Sequence, residues 1–81
     1  MTGEELIENF RRWYGPEKGL KVYMTVMPGI LADFEKMLSA RPGERLLEEY
    51  RLEDGRGTVI VSGRKEPGKT MEIDFACRPK A

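Results

Sequence analysis

The stretch "TMEIDFACR", Thr70 to Arg78, alternates without a break: Met71, Ile73, Phe75 and Cys77 fall on one side, Glu72, Asp74 and Arg78 on the other. A period of two over this length describes a strand with one greasy face and one wet face. Such a strand fixes the class of fold, because its greasy face has to be covered by another layer. Val59 and Val61 in "GTVIVSG" repeat the pattern, and "RKEPGK" between the two segments is a polar turn whose Pro67-Gly68 pair suits type II geometry.

The covering layer is legible at the start of the chain. "TGEELIENFRRWYG" reads as a helix: Thr2 and Glu5 have capping-box spacing, and Glu4 and Glu5 suit the positive end of the helix dipole. Leu6, Ile7, Phe10 and Trp13 form one apolar stripe, and Gly15-Pro16 ends the element. "GLKVYMTVM" reads as a strand, with Leu20, Val22, Met24 and Val26 on one face and Lys21, Tyr23, Thr25 and Met27 on the other. Pro28-Gly29 breaks that strand, with Pro28 at the opening turn of a second helix, "GILADFEKMLSA". Its stripe is Ile30, Leu31, Phe34, Met37 and Leu38, and "ARPG" stops it.

"ERLLEEYRLED" admits two readings. As a strand it places Leu46, Tyr50 and Leu52 on one face with Glu48 in the same phase; as a helix it groups Leu46, Leu47 and Tyr50 and leaves Leu52 off the stripe. Composition favours helix, and the following "EDGRG" serves either reading, since its Asp-Gly supplies the positive φ angles of a hairpin and equally suits a helix C-cap; the strand reading is adopted. The expected architecture is a single α+β domain over residues 1–81. Two helices pack on one face of a small, mostly antiparallel sheet, in the order α-β-α-β-β-β, as a two-layer sandwich. Phe75 is expected to face the stripes carrying Trp13 and Phe34. The layout resembles many small α+β sandwiches, ferredoxin-like domains among them, and assigns no function by itself.

The residue types present narrow the chemistry. The chain has 81 residues, with 14 Lys plus Arg against 14 Asp plus Glu, no histidine and one cysteine. No intramolecular disulfide can form, which fits a reducing compartment, and Ser-His or Cys-His triads and the usual zinc sites are excluded. No cofactor or metal site is expected. The zero net charge disfavours a phosphate-binding surface, and "GPEKGLK" has neither the spacing nor the strand-to-helix order of a phosphate loop. No apolar run is long enough to cross a bilayer, and the acidic N-terminus has no signal core; a cytoplasmic protein is expected.

The leading expectation is a small non-catalytic interaction module, not an enzyme. It would bind a protein partner or a second copy of itself through the open sheet face or an exposed strand edge, as a regulatory or inhibitory protein, virus- or plasmid-encoded ones included. A homodimer is expected because a domain this small gains much from association. The partner-binding residues would be Tyr23, Met27, Leu47, Arg51, Ile60, Glu72 and Arg78, four of them sizeable apolar or aromatic groups on a nominally wet face. Tyr14 is held as a surface anchor, since Tyr, Trp and Arg dominate contact hot spots. An alternative places Glu48 and Tyr50 in a helix–sheet pocket walled by Met24, Met37 and Met71, serving a small ligand or a minor enzyme. A third reading is a weak nucleic-acid contact through the basic turns around Arg56 and Lys65–Lys69. "GRGTVIVSG" does not serve as an RNA-recognition strand, because Thr58, Ile60 and Ser62 stand where stacking aromatics are needed. Cys77, on the apolar phase of its strand, is expected to be an inert thiol.

Overall fold

The computed structural model describes residues 1–80. Two helices come first, α1 (Gly3–Tyr14) and α2 (Pro16–Ala40). Three strands follow, β1 (Leu46–Arg51), β2 (Gly57–Arg64) and β3 (Glu72–Pro79). The strands form an antiparallel meander in the order β1-β2-β3. Both helices cover one face of the sheet, so the fold is α+β and two-layered, as the sequence predicts. The element order is α-α-β-β-β.

The capping box forms as expected: the Thr2 hydroxyl accepts from the Glu5 amide at 3.2 Å, and the Glu5 carboxylate accepts from the Thr2 amide at 3.1 Å. Those bonds to Thr2 hold the Glu5 carboxyl below the usual range. α1 stops at Gly15, whose φ of +96° is open to glycine and unfavourable to other residues. Pro16 then opens α2 at its first position, where its missing N–H would have been unpaired anyway. A single residue therefore joins the two helices into a tight hairpin.

The segment Gly19–Met27, expected as a strand, is helical and belongs to α2. The reason lies in a second periodicity that runs through it. Leu20, Tyr23, Met27, Ile30, Phe34 and Leu38 recur at intervals of three and four, straight across Pro28. Pro28 withdraws one hydrogen bond, that to the Met24 carbonyl, and costs the helix about 3 kcal/mol. Both Pro28 and Met24 lie on the solvent side, where water can serve that carbonyl. Burying Met27 and Ile30 on the opposite side, at about 1.5–3 kcal/mol each, outweighs the loss.

"ERLLEEYRLED" resolves as strand β1. Its register pairs Glu48 with Val61 and Tyr50 with Val59. The core lies between the layers: Leu6 and Phe10 of α1, Met27, Ile30, Phe34 and Leu38 of α2, Leu52 just after β1, and Val59 and Val61 of β2. Phe75, opposite Val61, packs against this core with Trp13, in line with expectation. α1 contacts β3, while α2 lies across β1 and β2.

Candidate functional site

The uncovered sheet face carries Leu47, Glu49 and Arg51 from β1, Thr58, Ile60 and Ser62 from β2, and Glu72, Asp74, Ala76 and Arg78 from β3. Five of the seven expected contact residues are therefore where the alternation put them: Leu47, Arg51, Ile60, Glu72 and Arg78. Tyr23 and Met27 are not, because their segment is helix and not strand. Met27 is 3% exposed in the core, and the Tyr23 ring stands edge-on to Phe10 at 5.6 Å. The open face thus holds Leu47, 64% exposed, and half-buried Ile60 as its larger apolar groups. Arg78 bridges to Glu49 across β2, and Arg45 reaches Asp74 at 3.8 Å.

A deeper feature lies at the flank of the sheet, between α2 and the free edge of β1. A cleft of about 830 Å³ opens there. Its apolar wall is Val22, Val26 and Ile30 from α2 with Tyr50 and Leu52 from the β1 side. Lys18 and Lys21 sit on its helix rim, and Glu53 and Asp54 at its turn end. Val22 and Val26 are four residues apart, so they share a helix face; continuity of α2 through Pro28 is what makes this wall.

The backbone along that edge is unpaired. The Leu52 amide donates to the Gly57 carbonyl at 3.0 Å, which fixes the phase of the ladder. In an antiparallel pair, bonded and non-bonded residue pairs alternate. Glu48 and Tyr50 therefore bond to β2, whereas the N–H and C=O groups of Leu47, Glu49 and Arg51 point away from it. On the other edge the Lys80 amide donates to the Arg56 carbonyl at 3.2 Å. The same alternation aims Pro79 outward, so the β3 edge lacks a donor there, a usual way of blunting an edge.

A polar clasp closes one end of the cleft. The Tyr14 hydroxyl donates to Asp54 Oδ1 at 2.8 Å, and the Arg56 amide donates to the same oxygen at 3.1 Å. Arg56 also donates to the Trp13 carbonyl at 2.7 Å and lies 5.3 Å from the centre of the Tyr14 ring. Partial burial, with the bond to Asp54, pushes the Tyr14 phenol up to about 12. Desolvation raises the Asp54 carboxyl, but the Tyr14 bond, the Arg56 amide and the Arg56 charge outweigh it and leave the group below its ordinary value. Tyr14 is thus a structural tie between α1 and the β1–β2 turn. Lone surface anchoring, the reading from sequence, overlooked Asp54 as its partner.

The pocket imagined around Glu48 takes a different form. Tyr50 does line the cleft, but Glu48 does not, and neither do Met24, Met37 or Met71. Met24 is 66% exposed. The Tyr50 hydroxyl donates to Asp33 Oδ2 at 2.7 Å. Burial, the Asp33 bond and charge, and the Glu48 charge all push its ionisation upward, so it stays a neutral donor. Cys77 is half-buried with Sγ 3.8 Å from the Met1 sulfur, and desolvation raises its thiol pKa. The basic turns lie at opposite ends of the meander and are interleaved with acid: Arg56 pairs with Asp54 at 3.3 Å, and Lys69 with Glu66 at 3.1 Å.

No protein-family model matches the chain, no curated protein matches it in sequence, and no solved structure matches its fold. Among the described residues no helix is long and apolar enough to cross a membrane.

Proposed function

We propose that the chain is a non-catalytic interaction module that docks an extended polypeptide segment along the free edge of β1. The observation that supports this most is the coincidence of two features. Outward-facing backbone groups of Glu49 and Arg51 border an apolar cleft walled by Val22 and Val26 of α2. Strand addition draws its affinity from main-chain hydrogen bonds and its selectivity from pockets that take alternate side chains. The open face with Leu47 and Ile60 extends the contact surface around the same edge strand.

The test uses an acetylated peptide of the chain's own Arg45–Asp54 sequence as the probe, followed by amide resonances of the protein. Strand addition is expected to shift the Glu49 and Arg51 amides and slow their exchange on titration. Val22→Asp, which puts a charge on the cleft wall, is expected to lose that response while keeping the far-ultraviolet circular dichroism of the parent. Unchanged Glu49 and Arg51 amides at saturating peptide would defeat the reading.

A further inference from the structure

We infer that the strand taken up by this cleft is β1 of a second copy of the chain, paired antiparallel about a two-fold axis at Tyr50, so that two three-stranded sheets become one sheet of six. The inference rests on the strand-edge reading above and names its occupant.

Charge pattern selects both the occupant and the register. The residues of β1 whose backbone faces outward are Leu47, Glu49 and Arg51. Paired antiparallel with itself, the strand can bring these residues together in only a few ways. A dyad at Leu47 sets Arg45 opposite Glu49 but puts Arg51 opposite Gly43, which lies in a turn with φ of +81°, so the ladder cannot continue to Arg51. A dyad at Glu49 sets Glu49 against its own copy, and one at Arg51 sets Arg51 against its own copy. A dyad at Glu48 sets two copies of that carboxylate against each other at the closest pair in the ladder. A dyad at Tyr50 sets Arg51 opposite the partner's Glu49, and does so twice. Opposite charges directly across a ladder stabilise it and like charges oppose it. The same charges guard the edge against other strands and other registers, as charged edges commonly do.

The helices leave room for this arrangement. α2 contacts both β1 and β2. A helix axis midway over those strands stands about 5 Å from the dyad, which sets the two α2 helices about 10 Å apart, at ordinary helix-packing distance. Val22 and Val26, half-exposed in one copy, would then be covered by the neighbouring α2. The Tyr50 rings meet beneath the two helices, each still bound to its own Asp33. Lys18 and Lys21 have no ion-pair partner within one copy among the described residues, and they remain at the rim.

The experiment is sedimentation equilibrium on the full chain and three variants. The parent is expected to show twice the monomer mass, dissociating on dilution. Arg51→Glu and Glu49→Arg each turn two attractive pairs into two repulsive ones, so each is expected to raise the dimer dissociation constant by about tenfold or more. The double variant Glu49→Arg/Arg51→Glu restores opposite charges and is expected to return within about threefold of the parent. Both positions are exposed, and the Glu49–Arg78 pair that one of them loses is a surface pair of small worth. A monomer at every concentration, while the peptide titration still works, would overturn the second copy and leave the strand-edge reading standing. A dimer indifferent to both reversals, or a double variant that stays as weak as the singles, would overturn the pairing.

Discussion

Phe34→Ala is expected to lower the unfolding free energy by about 3–5 kcal/mol. The ring is 0% exposed and sits in the cluster where α2 meets both α1 and the sheet. Removing it forfeits the burial of a large apolar group, and it also leaves a cavity that two tightly joined helices cannot close. A domain of this size has a total stability of only about 4–12 kcal/mol, so such a loss leaves little of the transition. Urea unfolding followed by circular dichroism is the measurement. A midpoint close to that of the parent would mean that α2 does not sit on the sheet as described.

Gly19→Ala is expected to destabilise the chain by about 1–3 kcal/mol, although alanine is the better helix former. A Cβ at this position would lie 2.5 Å from Arg11 Cα and 2.7 Å from the Phe10 carbonyl oxygen. Both atoms are backbone, so no side chain can swing aside; α1 and α2 must separate. With Gly15 as the only link between the helices, that separation propagates to Phe10 and to the Tyr23 ring against it. Propensity alone predicts the opposite sign, a gain of about 1 kcal/mol. A rise in melting temperature would therefore show that the helices do not touch at Gly19, while a fall of about 4–20 °C agrees with the close approach.

The contrast between Gly19 and Thr2 shows which parts of the structure were legible in the sequence. The Thr2–Glu5 capping box, the Gly15-Pro16 break and the alternation of β2 and β3 are all local, and each formed as the residues indicate; Leu46–Arg51, which admits both readings, took the strand one. Gly19–Met27 supports a strand reading as well as a helical one because two periods coexist there. Leu20, Val22, Met24 and Val26 alternate, while Leu20, Tyr23 and Met27 follow the helical interval. That alternation, with Val22, Thr25 and Val26 β-branched and Pro28 at its end, tips a local reading toward strand. Only the continuation of the helical interval through Ile30, Phe34 and Leu38 decides the matter, and that extends beyond any short window.

The candidate site inherits that ambiguity in a definite way. With the segment read as strand, Tyr23 and Met27 fall on the open face and the open face looks rich. With the segment as helix, Val22 and Val26 share a side of α2 and wall the cleft beside β1. Leu47, Arg51, Ile60, Glu72 and Arg78 were placed correctly because strand alternation is enough to place them. The Tyr14–Asp54 bond of the clasp spans 40 positions of sequence, and nothing local signals it. The free edge of β1 likewise depends on strand order, which single-sequence patterns do not encode.

The most direct test of the central claim, that the β1 edge is a docking edge, is amide hydrogen exchange along β1 in the full chain, at dilute and at high protein concentration. In dilute solution Glu48, Tyr50 and Leu52 are expected to be protected by β2, with Leu47, Glu49 and Arg51 exchanging freely. At high concentration the second set is expected to become slow while the first is unchanged. Leu47, Glu49 and Arg51 protected already in the isolated monomer, or still fast where the chain is fully associated, would contradict the account.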